Sequence, residues 1–471
     1  MNDTSADLVI LGGGSGGYAC ALRAAELDRS VVLIEQDKLG GTCLHWGCIP
    51  TKALLHSADL MESFKKAGDF GIVAEPATVD WPKVVSRKEF VVSKHFKGLT
   101  ALLKAKKINV VKGRGRLSSP TTIDVEGGET VEAGAVILAS GSYARSLPFI
   151  DIDGQAFITS DHALSLEEMP KSVIVVGAGA VGLEFASVFA SFGAAVTVVE
   201  ALPRVSPGED EEVSKEVQRQ FEKRKIKVYT GAKVASAAKS EGGATLTLET
   251  SAGKEVTLEA ERCLIAVGRG PVTEGLGYEE AGIKIESGFV VVDELCRTGV
   301  DGVWAVGDVV TQPSMNLPFP HFQLAHVAFA EGIHVAEQIA GEQSYGPVNY
   351  IGVPRATYSF PEIASVGLTE AQAKEAGYSV KTVKLPWAAL AKATILGESA
   401  GFVKVVSEQD GPVLGVHMVG PRVTELIAEA QLITNWEAYP REVAALIHPH
   451  PTLSEAMGEA LLTLAGTPLH R

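Results

Sequence analysis

The apolar residues near the N-terminus form two short runs separated by a glycine-rich turn and a helix-forming stretch. The first run, Leu8–Leu11, leads into the glycines, the stretch 19–27 favours a helix, and the second run, 31–34, ends at Glu35. Short uninterrupted apolar runs are typical of strands that are buried on both faces. This part of the chain is therefore predicted to form a strand–helix–strand unit with parallel strands.

The same arrangement returns in the middle of the chain. Ser172–Val176 is followed by glycines, by a helix-forming stretch that runs through Phe192, and by the apolar run 196–199, which ends at Glu200. Strands that alternate with helices are typical of α/β proteins. Two copies of one unit therefore predict an α/β fold with two Rossmann-like domains.

Each unit has the glycine pattern G-x-G-x-x-G at its turn and a glutamate 23 residues after the first glycine. The glycines are Gly12, Gly14 and Gly17 in the first unit and Gly177, Gly179 and Gly182 in the second. Such glycines let the backbone approach a pyrophosphate at the start of the helix, and the acid accepts a hydrogen bond from a ribose hydroxyl. The sequence therefore predicts two dinucleotide sites. The carboxylate of Glu200 suits the free 2′-hydroxyl of NAD better than the 2′-phosphate of NADP.

The rest of the first half is predicted to contain helices at 51–66 and at 81–107, where one or two helices fit. Strands are predicted at 110–117, 121–125 and 136–138. The stretch Val300–Asp308 is predicted to be a strand that ends in Gly-Asp, so that Asp308 lies at the carboxyl end of a parallel strand, where open sheets bind ligands.

From about residue 350 the pattern changes. Apolar runs at 355–358, 380–385, 401–406 and 413–418 predict an antiparallel sheet. Helical stretches at 369–377, 423–436 and 440–447 alternate with these strands, so we expect an α+β domain.

Length and composition limit the class of protein. A chain of 471 residues is expected to contain two to four domains, and its 46% hydrophobic and 21% charged content is typical of a globular protein. The net charge of −15 argues against nucleic-acid binding. The sequence has no long apolar run and no basic N-terminal stretch before an apolar one, so we expect neither a membrane span nor a secretory signal.

Two of the five cysteines, Cys43 and Cys48, lie close together just after the first dinucleotide pattern. On a regular helix their Cα atoms would be roughly 8.6 Å apart, whereas a disulfide needs about 4.4–6.8 Å. If they pair, this segment must be a distorted turn. A bond that closes so small a loop stabilises little, which favours a chemical role.

No second Cys/His pair at zinc spacing is present, so we expect no metal site. Cys20, Cys263 and Cys296 are expected to be buried.

These features together resemble the flavoprotein disulfide reductases, and within them the dihydrolipoyl dehydrogenases. The segments that carry the resemblance are Gly40–Lys52, Gly177–Glu184, Ala305–Asp308, Leu324–His326 and His450–Glu455. It runs from residue 7 to about residue 463. It implies an FAD-binding domain (1–147), an NAD-binding domain (148–272), a central domain that completes the FAD site (273–347) and a C-terminal dimerisation domain (348–471).

The resemblance also implies residues that contact the two cofactors. Contacts with FAD are implied for Gly12, Gly14, Gly17, Glu35, Lys52, Gly115, Ser140, Gly141, Ser142, Asp308, Gln323, Leu324, Ala325 and His326. Contacts with NAD are implied for Gly177, Gly179, Gly182, Glu200, Val234 and Gly268. The segment Arg269–Val272 departs from the family pattern because it lacks the frequent asparagine after its proline.

The resemblance also implies roles for two cysteines and for an ion pair. Cys43 would exchange with the substrate, and Cys48 would lie against the flavin. Lys52, paired with Glu184, would lie near the reactive edge of the flavin.

The implied acid–base is His450, oriented by Glu455. In this family the C-terminal domain belongs to a homodimer, and the histidine serves the site built on the partner chain. The peptide bond before Pro451 is predicted to be cis, which would aim the imidazole. His448 is expected to be structural, or to support its neighbour.

The activity implied is oxidation of protein-bound dihydrolipoamide to lipoamide with reduction of NAD⁺. The partner would be a lipoylated acyltransferase of a 2-oxo acid dehydrogenase complex, or the lipoyl protein of glycine cleavage, in the cytoplasm. Three alternatives stay open. Glutathione-type reductases use NADPH, which Glu200 disfavours, and mercuric reductases need a C-terminal thiol pair, which 463–471 lacks. A catalytically silent component of a multienzyme complex is the third alternative.

Overall fold

The structure is a computed structural model that describes residues 3–73, 75, 77–342 and 346–470. The described strands are β1 (Asp3–Leu11), β2 (Val31–Glu35), β3 (Asn109–Lys112), β4 (Gly115–Ser119), β5 (Thr122–Val125), β6 (Glu129–Leu138), β7 (Ser142–Ala144), β8 (Phe157–Ile158), β9 (Ser172–Val176), β10 (Ala195–Val199), β11 (Lys227–Tyr229), β12 (Lys233–Ser240), β13 (Gly243–Glu249), β14 (Glu255–Ala260), β15 (Arg262–Ile265), β16 (Arg269–Pro271), β17 (Ile285–Glu286), β18 (Phe289–Val291), β19 (Val303–Ala305), β20 (Val310–Thr311), β21 (Arg355–Thr357), β22 (Glu362–Gly367), β23 (Val380–Pro386), β24 (Phe402–Glu408) and β25 (Val413–Gly420).

The described α-helices are α1 (Ser15–Glu26), α2 (Gly41–His45), α3 (Cys48–Lys66), α4 (Trp81–Ala105), α5 (Ser160–Ala163), α6 (Ala180–Ser191), α7 (Glu211–Lys223), α8 (Ala325–Ala340), α9 (Glu370–Glu375), α10 (Ala391–Leu396), α11 (Val423–Asn435), α12 (Pro440–Ala444) and α13 (Glu455–Leu464). Single 3₁₀ turns lie at Ala67–Phe70, Gly307–Val309, Pro313–Met315 and Trp387–Ala389. Within the described ranges, no helix combines the length and the apolar character needed to cross a membrane.

Internal contacts divide the chain into two compact units. The first consists of Met1–Ala53, Lys83–Arg145 and Gly268–Val348. The second consists of Leu54–Pro82, Ser146–Val267 and Asn349–Arg471.

The first unit is built on a seven-stranded sheet in the order β3-β2-β1-β6-β5-β4, with β19 also paired to β6. Strands β1, β2, β3, β6 and β19 run parallel, whereas β4 and β5 pair antiparallel. Leu8 and Ile10 pack on one face with α1 and α8, and Val9 and Leu11 pack on the other face. Burial on both faces explains the uninterrupted apolar run of β1.

The second unit contains the repeated strand–helix–strand element, which the structure confirms as β9, α6 and β10. Its parallel sheet has the order β11-β10-β9-β15-β8. The antiparallel meander β12-β13-β14 was not predicted. The signal was present, because Ala244, Leu246 and Leu248 alternate with polar residues and are buried.

The C-terminal part of the second unit is a five-stranded antiparallel sheet in the order β21-β22-β25-β24-β23. The side chains of α11 and α13 share one core with it. The prediction of an α+β segment is confirmed, but three elements were missed, namely β22, α10 and α13. Strand β22 is buried along almost its whole length, and its sequence shows no clear alternation of polar and apolar residues. Helix α13 begins at Glu455, the last residue of the segment His450–Glu455, for which the resemblance implied a catalytic role.

A buried lysine joins two parts of the second unit. The Nζ atom of Lys404, on β24, lies 3.0 Å from Asp210 Oδ2, 3.0 Å from Glu212 Oε2 and 2.8 Å from Glu370 Oε2, and its side chain is 5% exposed. Burial alone would lower the pKa of Lys404, but its hydrogen bonds to the three carboxylates raise it above the ordinary value. Hydrogen bonds from Lys374 and Lys404 lower the pKa of Glu370 to about 2.

We expect Lys404→Met to lower the free energy of unfolding by about 3–5 kcal/mol, because it leaves the buried carboxylate of Asp210 without its cation. Urea denaturation followed by circular dichroism measures the change. Lys374→Met is the matched control, since Lys374 also binds Glu370 but is 58% exposed, and we expect a loss of less than about 1 kcal/mol. Equal effects of the two variants would contradict the prediction.

The ion cluster also makes stability depend on pH. The pKa of Glu370 is lowered from 4.5 to about 2 in the folded protein. Its contribution is therefore complete above about pH 4.5 and is lost as the pH falls toward 2.

Candidate active site

The glycines of the first unit form a cradle that a larger residue would fill. A Cβ atom at Gly17 would lie 1.9 Å from the carbonyl oxygen of Gly12, and one at Gly12 would lie 2.2 Å from that of Ala139. Gly12 also has a φ of +108°, which favours glycine. Around Gly14, by contrast, the first atom that a Cβ would meet is Gly41 Cα, at 4.0 Å. The glycines therefore let backbone segments pack closely at Gly12 and Gly17, and they leave open space beside Gly14, at the start of α1.

Hydrogen-bonding groups at this cradle suit a dinucleotide. No side chain of the described residues caps the start of α1, so its first N–H groups are available to an anion. At the end of β2, the carboxylate of Glu35 accepts hydrogen bonds from Gly13 N and Asp37 N, both at 2.7 Å. Two backbone donors thus fix this carboxylate beside the glycine turn. The site fits a pyrophosphate and a ribose.

The second unit repeats this geometry. A Cβ atom at Gly182 would lie 1.9 Å from Gly177 O, and one at Gly177 would lie 2.2 Å from Ala266 O. A Cβ atom at Gly179 would meet no atom of the described chain within 4 Å, so the start of α6 is open. The carboxylate of Glu200 accepts from Ala178 N at 2.7 Å and from Leu202 N at 2.8 Å, and the residue is 8% exposed. This site also fits a dinucleotide.

Two more residues with implied NAD contacts have separate positions. Val234 is half-buried on β12 and packs against the core of the second unit. Gly268 has a φ of +103°, and its carbonyl accepts a hydrogen bond from Arg145 N in the first unit. Their contacts with NAD stay predictions.

The first unit gathers several of the residues with implied FAD contacts. Ser142 Oγ donates to Asp308 Oδ2 at 2.5 Å, and Gln323 Nε2 donates to Asp308 O at 3.2 Å. Leu324 is the N-cap of α8, where Ala325 and His326 form the first turn without a side-chain cap. This arrangement offers a second helix start and a carboxylate near each other.

The remaining residues of this group have structural partners. Ser140 Oγ donates to Val272 O at 2.6 Å and accepts from the hydroxyl of Tyr278 at 3.0 Å, and Gly141 has a φ of +73°. A Cβ atom at Gly115 would lie 2.4 Å from Leu11 Cδ2, which gives this glycine a packing role. Their cofactor contacts stay predictions.

Arg269 was not predicted as a site residue, yet it connects three of these segments. Its Nε donates to Ser142 Oγ at 2.7 Å and lies 3.8 Å from Asp308 Oδ2. Its Nη2 donates to Ser142 O at 2.9 Å and to Thr42 Oγ1 at 3.5 Å. Thr42 precedes Cys43, so one guanidinium links Asp308 to the cysteine segment. In the sequence, the segment Arg269–Val272 was notable only because it lacks the asparagine that the family frequently has after the proline.

The cysteine segment consists of two helices with a break between them. Cys43 lies on α2, Cys48 begins α3, and Trp46 ends the first helix in a non-helical conformation. The expected distorted turn is thus confined to Trp46 and Gly47. The side chains of Cys43 and Cys48 are within hydrogen-bonding contact.

Neighbouring groups determine the acidity of these thiols. The pKa of Cys43 is raised by its hydrogen bond to Cys48, by burial and by the charge on Cys48. Lys52 and a hydrogen bond from the Ser15 hydroxyl act in the opposite direction. The pair therefore releases one proton more readily than two. Burial and the charges of the two cysteines raise the pKa of Tyr18 to about 12.

Lys52 and Glu184 lie in different units, and their predicted pairing stays a prediction. Lys52 lies one helical turn after Cys48 on α3 and is half-buried. Glu184, on α6, is 3% exposed, and its Oε1 accepts from Tyr358 N at 2.9 Å.

The histidine and the glutamate of the C-terminal motif are in contact. His450 Nδ1 lies 2.7 Å from Glu455 Oε1, and Glu455 Oε2 accepts from Thr452 N at 2.7 Å. Burial alone would raise the pKa of Glu455, but the hydrogen bonds from Thr452 and His450 hold it below the ordinary value. The His450–Pro451 peptide bond is cis, as predicted. The imidazole is 70% exposed, which leaves its second nitrogen open to a reactant.

Two family models match the chain. One, described as pyridine nucleotide-disulphide oxidoreductase, matches residues 6–332. The other, the dimerisation domain of the same group, matches residues 353–461.

Individual proteins are similar over nearly the whole length. The chain is 44% identical to the dihydrolipoyl dehydrogenase of Bacillus subtilis, with 99% of each chain covered. It is 40% identical to that of Zymomonas mobilis, with 98% of this chain and 99% of the relative covered. Among solved structures, LpdA from Mycobacterium tuberculosis aligns with a TM-score of 0.87 at 28% identity, covering 98% and 99% of the two chains. The flavoprotein disulfide reductase RclA from Escherichia coli aligns with a TM-score of 0.84 at 27% identity, covering 97% and 99%.

We expect the five cysteines to differ in reactivity. Cys43 and Cys48 are half-buried, whereas Cys20, Cys263 and Cys296 are buried, and burial raises the pKa of Cys20 and of Cys263 to about 12. Iodoacetamide must reach the sulfur, and the charge of Lys52 favours a thiolate at the Cys43–Cys48 pair, so the reagent should label only Cys43 and Cys48 in folded protein reduced with a phosphine. Mass spectrometry of the digested protein identifies the sites, and labelling in denaturant, where all five should react, is the control. Equal labelling of the buried three in folded protein would contradict the prediction.

Proposed function

The chain belongs to the pyridine nucleotide-disulphide oxidoreductase family, and we propose that it catalyses the dihydrolipoyl dehydrogenase reaction. It oxidises protein-bound dihydrolipoamide to lipoamide and reduces NAD⁺ to NADH, with FAD as the resident cofactor. One hydride equivalent and one proton leave the dithiol, so the reaction yields lipoamide, NADH and H⁺.

One observation carries this proposal: the thiol pair adjoins the first dinucleotide cradle. A Cβ atom at Gly41 would lie 2.8 Å from Gly14 Cα, and Gly40 N donates to Gly13 O at 2.8 Å. The hydroxyl of Ser15, in the same glycine turn, donates to the Cys43 sulfur. A redox-active sulfur pair and a dinucleotide held at that turn would therefore be neighbours.

We assign the two cradles to different dinucleotides. The one around Gly12, Gly14 and Gly17, next to the cysteines, would hold FAD, with Glu35 on the ribose and Asp308 and Arg269 at the second helix start. The one that ends at Glu200 would hold NAD. When bound there, FAD would supply two-electron redox chemistry between the enzyme dithiol and NAD⁺.

Residues of the protein would carry out the proton transfer and the thiol–disulfide exchange. His450, held by Glu455, takes a proton from the dihydrolipoamide thiol, because the thiolate is the form that attacks a disulfide. The substrate sulfur attacks Cys43 in the oxidised Cys43–Cys48 pair, and the Cys48 sulfur leaves as a thiolate. The second substrate sulfur then displaces Cys43, which closes the lipoamide disulfide and leaves both enzyme cysteines reduced. The positive charge of Lys52 favours the thiolate form of the pair.

We further propose that the active enzyme is a homodimer in which His450 serves the cysteine pair of the partner chain. The match to a dimerisation domain and the exposure of the His450 imidazole support this arrangement. The lipoyl group would be carried by an acyltransferase of a 2-oxo acid dehydrogenase complex or by the lipoyl protein of glycine cleavage, and the location would be the cytoplasm.

Purified holoenzyme should reduce NAD⁺ with dihydrolipoamide, measured as NADH absorbance. We expect Cys43→Ser to lower kcat at least ~1000-fold, because no disulfide can form, while the flavin absorbance is retained. Cys263→Ala, which removes a buried thiol of the second unit, should change kcat less than about twofold and is the control. Full activity of Cys43→Ser, or a strong preference for NADPH, would overturn the proposal.

Mixed dimers test the shared site. We expect a dimer of one Cys43→Ser chain and one His450→Gln chain, isolated with two affinity tags, to have about half of the wild-type activity. One of its two sites then combines an intact Cys43 with an intact His450. Each homodimeric variant should be almost inactive. If histidine and cysteines of one chain worked together, the mixed dimer would be inactive as well.

A further inference from the structure

A second histidine–carboxylate pair lies beside the one that contains His450. His448 is in the loop between α12 and α13, and its Nε2 lies 2.7 Å from Glu429 Oε1 on α11. The His448 side chain is 13% exposed, whereas the preceding Ile447 is 97% exposed. The loop therefore exposes its side chains on both sides of His448, whereas the side chain of His448 itself is largely buried.

The other side of the His448 ring rests on α13. A Cβ atom at Gly458 would lie 2.7 Å from His448 Nδ1 and 3.1 Å from its Cε1. Glycine is therefore the residue that leaves room for the ring at this position. Gly458 lies three residues after Glu455, on the helix that presents the carboxylate to His450.

His448 thus fixes the loop immediately before the segment that carries His450. On the far side, Thr452 Oγ1 donates to Pro449 O at 2.7 Å, and Thr452 N donates to Glu455 at 2.7 Å. The His450 backbone is therefore anchored from both directions, and its imidazole is oriented by Glu455.

We propose that His448 is a positioning residue for His450: held between Glu429 and Gly458, it fixes the loop so that the His450 imidazole keeps its place on the exposed surface. The inference rests on the proposed function, in which His450 removes the substrate proton. Positioning of a base affects the step in which the base acts, and displacements on the ångström scale can cost up to about a hundredfold.

Two reactions of the holoenzyme separate positioning from general damage. Reduction of the enzyme by dihydrolipoamide without NAD⁺, followed by stopped-flow absorbance, needs the base. Reduction of ferricyanide by NADH needs both dinucleotide sites but neither the base nor the dithiol. We expect His448→Ala to slow the first reaction about tenfold and to leave the second within twofold of wild type.

A conservative replacement should restore the first reaction. The side-chain amide of glutamine places an N–H donor near the position of the imidazole Nε2. His448→Gln is therefore expected to keep its bond to Glu429 and to react with dihydrolipoamide within about threefold of wild type.

The two anchors of the ring provide independent variants. Glu429→Ala removes the bond, and Gly458→Ala displaces the ring without removing it, so each should repeat the effect of His448→Ala. The double variant His448→Ala/Glu429→Ala should be no slower than either single variant, because both remove one interaction. His470→Ala is the matched control, because it removes another histidine–carboxylate contact of α13: His470 Nδ1 lies 2.8 Å from Glu459 Oε1. We expect it to change neither reaction.

Distinct outcomes overturn this proposal and the proposed function. An unchanged dihydrolipoamide reaction in His448→Ala, or an equal loss of both reactions, overturns the positioning role. Failure of the wild-type protein to react with dihydrolipoamide overturns the proposed function itself. A selective loss in His448→Ala that glutamine restores supports the proposal.

Discussion

The contact between two thiols five residues apart is the constraint on which the proposed chemistry depends. A continuous helix would hold their Cα atoms roughly 8.6 Å apart, too far for a bond between the sulfurs. The chain avoids this by ending α2 at His45 and starting α3 at Cys48, with Trp46 in a non-helical conformation between them. Gly40 and Gly41, with φ values of +100° and +55°, bring the start of α2 against the first glycine turn. One local irregularity therefore makes a disulfide possible and also sets its place beside a dinucleotide cradle.

The two cradles share the same glycine packing but are assigned to different dinucleotides. In both, a glycine packs on the carbonyl oxygen of another glycine five residues earlier, where a Cβ would lie 1.9 Å away. The glutamates differ in their surroundings. Both carboxylates accept two backbone N–H groups, but Glu35 is half-buried, whereas Glu200 is buried. A phosphate next to so fixed and desolvated a carboxylate would be strongly repelled, which agrees with the assignment of the second cradle to NAD.

The sequence predicted the features that depend on nearby residues. The strand–helix–strand units, the helices after Thr51 and Trp81, and the change to an antiparallel sheet near residue 350 follow from local periodicity, and all are confirmed. Strand β22 was missed because Ser365 and the small residues Ala364 and Gly367 interrupt its apolar positions, so that it shows neither clear alternation nor an apolar run. Distant contacts were also missed. Arg269 contacts Ser142, which is 127 residues away in the sequence, and Lys404 contacts Asp210, which is 194 residues away. No local sequence pattern encodes such partners.

The loop at His450 explains why the proposed base belongs in a dimer. A base that is 70% exposed works in bulk water, where its substrate is not held and its charge is screened. The residues next to it, Leu446 and Ile447, are 64% and 97% exposed, although both are large and apolar. Such a surface is typical of one that another protein covers. A loop that must fit another chain needs a defined shape before the two meet, because ordering it on binding would cost free energy. The inward bond from His448 to Glu429 provides that shape within the single chain. In the proposed dimer, the partner would supply the cover and the cysteines, and this chain would supply an imidazole already in position.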